Sequence, residues 1–207
     1  ELVSAKKIGR ARRINDGLGR YTEVVKTSVP TSLNLEGLKI VIDCANGASY
    51  KTAPEILWEL GAEIIEIGTS PDGYNINLDC GSMSPENAAS VVKKHGADLG
   101  ICLDGDADRV VLIDEKGMVA KGDQVIAAIA TFWNSRGLLR GDRIVTTTMS
   151  NLGLENYLND MGINLTRTPV GDRYVVEAMR KYKCNLGGEQ SGHLILSDFM
   201  TTGDGLV

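Results

Sequence analysis

The feature that most constrains the fold of this chain is a unit that occurs three times: an apolar helical stripe, then a glycine, then a short apolar strand. Ala53, Ile56, Leu57 and Leu60 stand at i, i+3, i+4 and i+7, and Gly61 precedes AEIIEIG. Ala88, Val91, Val92 and His95 repeat the spacing before Gly96 and ADLGICL, and Leu154, Tyr157, Leu158 and Met161 before Gly162 and INLTRTPV. Side chains so spaced line one face of a helix. A glycine just beyond suits the left-handed backbone that ends one. Two more stripes follow the same template: Ile126, Ile129, Ala130 and Trp133 after Asp123, and Val175, Ala178, Met179 and Tyr182 after Asp172. Each aspartate stands where an N-cap is expected.

Between the stripes lie the strand candidates KIVIDCA, AEIIEIG, DLGICL, RVVLID, DRIVTTT and INLTRT. Strands alternating with helices give an α/β fold. The expectation is two consecutive α/β domains, with mixed, mostly parallel sheets sandwiched by helices. RVVLID follows its predecessor after a turn too short for a helix, which leaves room for an antiparallel partner. A break is expected at NSRGLLRGD, dividing a domain at 36–137 from one at 141–207, with 1–35 as a leading tail and linker. The chain opens without Met and closes on TTGDGLV, where Asp204 resembles a helix cap, so a central fragment is expected.

Composition removes several functions. A net charge of −5 argues against a general binder of nucleic acid or anionic membranes. Lys6, Lys7, Arg10, Arg12, Arg13 and Arg20 crowd the N-terminus, which reads as a solvated helix or connector rather than a nucleic-acid arm. No apolar run approaches the roughly 20 residues of a membrane span, and no signal-peptide core leads the chain. Cys44, Cys80, Cys102 and Cys184 form no C-x-x-C pair and read as reduced core thiols, which points to the cytoplasm.

The chemistry concentrates in two stretches. In GICLDGDADRVVLID, Asp104, Asp106 and Asp108 alternate directly after an apolar strand. On extended backbone they point to one side. Ionised at neutral pH, a pair about 4 Å apart repels by roughly 4 kcal/mol at a surface-like dielectric. Oxygen donors without His or Cys suit Mg²⁺ or Ca²⁺. A charge-rich turn without metal is the plainer reading, and the repulsion counts against it. An EF-hand would count Asp104 as position 1 and Glu115 as position 12, but Arg109 stands at position 6, which needs glycine, and a strand leads in where a helix should. Arg109 offers a planar fork matched to phosphate oxygens. A metal cluster beside an arginine fits phosphoryl transfer. Pairing with the neighbouring aspartates is its other use.

The second stretch is NLGGEQSGHLIL, a glycine-rich turn presenting Glu189, Gln190, Ser191 and His193. Carboxylate, amide and hydroxyl together suit a polyol such as a sugar. His95 lies on a helical stripe and reads as structural. For His193, proton transfer and phosphate contact stand open beside a structural use.

DGDADR followed by GGEQSGH resembles the α-D-phosphohexomutase superfamily of phosphosugar mutases. So do RINDGLGRY, IVIDCANGASY, GYNIN, GDQVIAAIA, MSNLGLE, TPVGDRYV and TTGDG, across essentially the whole chain. The resemblance leans toward members acting on glucosamine phosphates through glucosamine 1,6-bisphosphate. It implies Mg²⁺ on Asp104, Asp106 and Asp108, with Arg109 beside the transferring phosphoryl group. It implies Glu189 and Ser191 on sugar hydroxyls with His193 nearby, Asp172 and Arg173 on another substrate-facing loop, and Lys121 facing the cleft. Members have four domains, with a phosphoserine nucleophile in a Ser-His-Asn-Pro type loop of the first and a phosphate clamp in the fourth. This chain matches the tail of domain 1, domain 2 and most of domain 3, and lacks that loop. The missing domains 1 and 4 are thus its implied partners, and inactivity alone is expected. A mutase for glucose or mannose phosphates, or a non-catalytic module binding Mg²⁺ or a phosphosugar, are the alternatives.

Overall fold

A computed structural model describes residues 3–207. The first sheet holds β1 (Lys39–Asp43), β2 (Glu63–Ile67), β3 (Leu99–Leu103), β4 (Val110–Asp114) and β5 (Val119–Ala120), in the order β2-β1-β3-β4-β5. The second holds β6 (Arg143–Thr147), β7 (Asn164–Thr168), β8 (Leu186–Gly188) and β9 (Leu194–Leu196), in the order β7-β6-β8-β9. Both follow one plan. β1 runs parallel to β2 and β3, and β4 turns back antiparallel to β3. Likewise β6 runs parallel to β7 and β8, and β9 turns back along β8.

The helices are α1 (Gly17–Lys26), α2 (Thr52–Glu59), α3 (Glu86–His95), α4 (Gly122–Ser135), α5 (Leu152–Asp160) and α6 (Asp172–Tyr182). The stripes bury except at His95 and Tyr157, which are exposed: Val92 of α3 packs with Val41 and Ile113, and Val175 and Met179 of α6 pack with Val145 and Ile195. A larger cluster joins Leu57 of α2, Ile126 and Trp133 of α4, and Leu158 of α5 with Ile42 of the first sheet and Ile144 and Leu186 of the second. One apolar core therefore runs under both sheets. Gly61, Gly96 and Gly162 all have positive φ, as helix-ending residues should.

Several local expectations shift. The 185–196 stretch is a strand pair, not a bare loop, and β8 is glycine-rich because a Cβ on Gly187 would come within 2.6 Å of the Met179 sulfur. Asp123 and Asp172 lie inside their helices, with Lys121 and Gly171 at the N-caps. Buried Asp123 instead accepts the Asn151 N–H at 2.9 Å, tying α4 to α5. His95 is exposed in the last turn of α3, clear of the core. α4 packs on α5 and β8 and also reaches β4, so it touches both sheets. The basic N-terminal residues are solvent-exposed, and Arg20 pairs with Asp16.

Candidate functional site

The acidic loop spans the turn from β3 to β4. Buried Asp104 accepts the Arg109 backbone N–H at 3.1 Å, and its carbonyl accepts the Ala107 N–H. That curl puts Ala107 in the left-handed region, φ 62°, a cost that recurs at functional sites. One carboxylate oxygen each from Asp104, Asp106 and Asp108 lies within 4.8 Å of the others. At that spacing a pair of ionised carboxylates repels by roughly 3–4 kcal/mol. Arg109 Nε stands 3.6 Å from Asp104 and 3.7 Å from Asp108, one cation against three carboxylates. Burial pushes Asp104 up to about 6, opposed by the Arg109 N–H and reinforced by Asp108 and Asp106. Asp108 Oδ1 is buried without a hydrogen-bond partner. An all-oxygen set with surplus negative charge and an unsatisfied buried oxygen fits a hard divalent cation such as Mg²⁺.

The loop is held from both sides. Gly105 O accepts the Ala48 N–H at 2.8 Å. On its other side Gly105 lies so close to Ile76 and Asn77 of the GYNIN stretch that a Cβ would meet them at 2.7–2.9 Å.

The turn between β8 and β9 docks directly onto this loop. Val110 N–H donates to Gly192 O at 3.0 Å, Gly122 N–H to Gln190 O at 3.2 Å, and Arg109 forms a β-bridge with His193. His193 is 4 % exposed; its Nδ1 lies 3.1 Å from Asp108 Oδ2. Its Nε2 has no partner and faces Gly203, where a Cβ would come within 2.5 Å. Glu189 is pre-set: Oε1 accepts the Gly171 N–H at 3.0 Å and Oε2 the Ser191 hydroxyl at 3.4 Å.

Asp104, Asp106, Asp108, Arg109 and His193 thus form one group, with Glu189 and Ser191 on the adjoining turn. Lys121 is exposed at the N-cap of α4, next to the Gly122 that contacts this turn. Asp172 and Arg173 stand apart: both are exposed, and Arg173 pairs with Glu177 along its own helix. Of their loop, the Gly171 N–H reaches Glu189.

Two family models divide this chain between them. Alpha/beta/alpha domain II of phosphoglucomutase/phosphomannomutase matches residues 19–117, and alpha/beta/alpha domain III matches residues 121–207. The chain belongs to the phosphoglucomutase/phosphomannomutase family. The phosphoglucosamine mutase of Dinoroseobacter shibae is 64 % identical over 205 residues, 99 % of this chain and 46 % of that protein. That of Ruegeria sp. is 62 % identical over 207 residues, 100 % of this chain and 46 % of its own. A solved structure of a phosphoglucomutase/phosphomannomutase family protein from Burkholderia thailandensis superposes with a TM-score of 0.79 at 26 % identity, covering 91 % of this chain and 41 % of that one. The chain spans about half the length of the curated relatives it matches.

In this phosphoglucomutase/phosphomannomutase family member, the sequence reading missed the contacts behind the loop. Tyr21 of α1 donates to Asp204 at 2.9 Å, and burial followed by the Asp204 charge raises the tyrosine pKa far above normal. Next to it Gly205 N–H donates to Ala107 O at 2.9 Å. Tyr21, Ser49, Thr52, Asp106, Gly203 and Asp204 border a cavity of about 260 Å³ beside the acidic loop. Asp204 shows as a helix cap in the sequence, but nothing there links it to a tyrosine 183 residues away.

Proposed function

We propose that the chain is the central part of a phosphoglucosamine mutase, interconverting glucosamine 6-phosphate and glucosamine 1-phosphate in the cytoplasm. The observation that carries the reading is the docking of the glycine turn of one sheet onto the acidic loop of the other, through His193 and Asp108. The contact supports reading the acidic loop as a cation seat and the glycine turn as a polyol-binding surface, the pair that transfer of a phosphoryl group to a sugar hydroxyl requires. The identity to phosphoglucosamine mutases supports the choice of sugar.

In this reading Asp104, Asp106 and Asp108 hold Mg²⁺, which when bound offsets charge on the phosphoryl and serine oxygens. Arg109, already beside the cluster, grips phosphoryl oxygens with the part of its guanidinium that the aspartates leave free. Glu189 and Ser191, fixed by Gly171 and each other, orient the sugar hydroxyls. His193 holds Asp108 beneath the transferring group, and Lys121, Asp172 and Arg173 form the outer rim. A phosphoserine from a domain outside this chain gives its phosphoryl group to the free hydroxyl, forming glucosamine 1,6-bisphosphate. The bisphosphate turns over and returns its other phosphoryl group to the serine. The missing domains 1 and 4 are therefore partners, and the chain alone is inactive. No helix among the described residues is long and apolar enough to cross a membrane, and we assign no membrane or nucleic-acid partner.

Titration calorimetry with Mg²⁺ tests the metal half: the chain binds one ion, and Asp106→Asn abolishes the heat. An unchanged isotherm would remove the cluster from the mechanism. In the complete protein, faster turnover of glucose or mannose 6-phosphate than of glucosamine 6-phosphate would replace the sugar assignment.

A further inference from the structure

A buried carboxylate outside the acidic loop has no role in the mechanism above. Asp43, the last residue of β1, is 0 % exposed and has no ion-pair partner among the described residues. A buried charge is costly unless hydrogen-bonded, and both of its oxygens are. Oδ1 accepts the Ala45 N–H at 2.9 Å, and Oδ2 accepts the Gly81 N–H at 2.8 Å. The carboxylate thereby joins two turns, one after β1 and one before α3.

Each of these turns makes a backbone bond to one end of the acidic loop. The first runs through Ala45 and Asn46, both left-handed at φ 52° and 49°, and delivers the Ala48 N–H to Gly105 O at 2.8 Å. The second delivers the Ser82 N–H to Leu103 O at 2.9 Å. Two successive non-glycine residues in that region are strained and persist only where the surroundings hold them. Asp43 holds the first of them by accepting the Ala45 N–H, while the Asn46 N–H donates to Gly68 O at 2.7 Å and Ala45 O accepts the Asn77 N–H at 2.9 Å. The fit is tight: a Cβ on Gly68 would stand 2.8 Å from Asp43 Oδ1, and one on Gly81 2.5 Å from Leu103 O.

We infer that Asp43 is a positioning residue, whose carboxylate clamps two turns so that their amides fix Gly105 and Leu103 and thereby aim Asp104, Asp106 and Asp108. It touches neither substrate nor cation. The inference rests on the reading of residues 104–109 as the cation-binding loop, but its first test does not use a cation.

The test is amide hydrogen exchange in the metal-free chain, with Asp43→Asn as the variant. The amide side chain keeps the shape and replaces one acceptor with a donor facing an N–H. Exchange at Ala48 and Ser82 should accelerate at least tenfold, while Val41 and Ile42 in β1 keep their rates. Asp98→Asn is the control. It removes the same charge at the opposite end of the sheet, where a single acceptor bond to Lys39 N–H at 2.8 Å suits an amide oxygen equally well, and it should leave Ala48 and Ser82 unchanged. Unaltered rates at Ala48 and Ser82, or a uniform acceleration along the chain, would overturn the inference. Should Asp43→Asn fail to fold, the parent chain decides: Ala45, Ala48, Gly81 and Ser82 should exchange through one shared opening, and unrelated rates would overturn it. Mg²⁺ titration then separates the two readings. About a tenfold weaker Kd in Asp43→Asn and an unchanged one in Asp98→Asn supports both. Equal Kd values for parent and Asp43→Asn count against positioning, and a parent blind to Mg²⁺ removes the metal reading while leaving the exchange result to judge the clamp.

Discussion

Gly203 lies against the His193 ring, and the substitution Gly203→Ala probes how that ring is held. The new methyl carbon would stand 2.5 Å from both Cε1 and Nε2 and 2.9 Å from Cδ2. Carbon contacts settle near 3.5–4.0 Å, so the ring has to retreat by about 1 Å. Its Nδ1 is only 3.1 Å from Asp108 Oδ2, and a retreat of that size ends the hydrogen bond. Overpacking costs about 1–3 kcal/mol, and losing the hydrogen bond to the partly exposed Asp108 carboxylate about 0.5–1.5 kcal/mol more. A loss of about 3 kcal/mol follows. In a chain of this length each kcal/mol lowers Tm by roughly 2–4 °C, giving a fall of about 6–12 °C by calorimetry. The decisive measurement is the double mutant. Once His193→Ala has removed the ring, Gly203→Ala should cost almost nothing, because the two changes share one contact. If the two losses simply add, the methyl acts elsewhere and the ring is not held as described.

Asp104 sets a pH dependence. Its folded pKa of about 6 exceeds the ordinary 3.8 because burial disfavours the charge. The metal-free fold therefore keeps a proton that the unfolded chain has lost, so this stability is full below about pH 4 and declines as pH rises through 6. The Tm gained on adding Mg²⁺ should be small at pH 5 and level off above about pH 7; a gain independent of pH would contradict the shift. Tyr21→Phe removes the hydroxyl from Asp204 and should cost about 1.5–3 kcal/mol in urea unfolding, the range for a hydrogen bond to a charged group, with no change in m-value. Gly192→Ala would push a methyl into the Val110 carbonyl from a backbone at φ 93°, so the Val110 amide should lose its exchange protection while β1 keeps its own.

The five helices read from the sequence were legible because apolar spacing and terminal glycines are local signals. So were the six strand candidates, being rich in Val and Ile. The acidic loop was legible for the same reason: alternation after a strand is written in consecutive residues. β8 and β9 were not, since glycines at 187 and 188 suppress strand propensity and exist for contacts with Met179 and His193, far off in sequence. Asp123 and Asp172 resemble caps by composition, yet Asp123 is spent on Asn151 and Asp172 on its neighbour's N–H. The Asp43 clamp was equally hidden, because its meaning lies in Gly81 rather than in the strand that carries it.

The matching plan of the two sheets has a mechanical result. Each functional turn follows the third parallel strand of its own sheet, just where the chain reverses, so neither half is a site until the two face each other. Under the proposed function, a sugar on one turn and a cation on the other would be coupled, each changing the other's affinity by the same factor. A slight swivel between the halves would break the Val110–Gly192 bond and the Arg109–His193 bridge together, so under the proposed function both grips would slacken in one event.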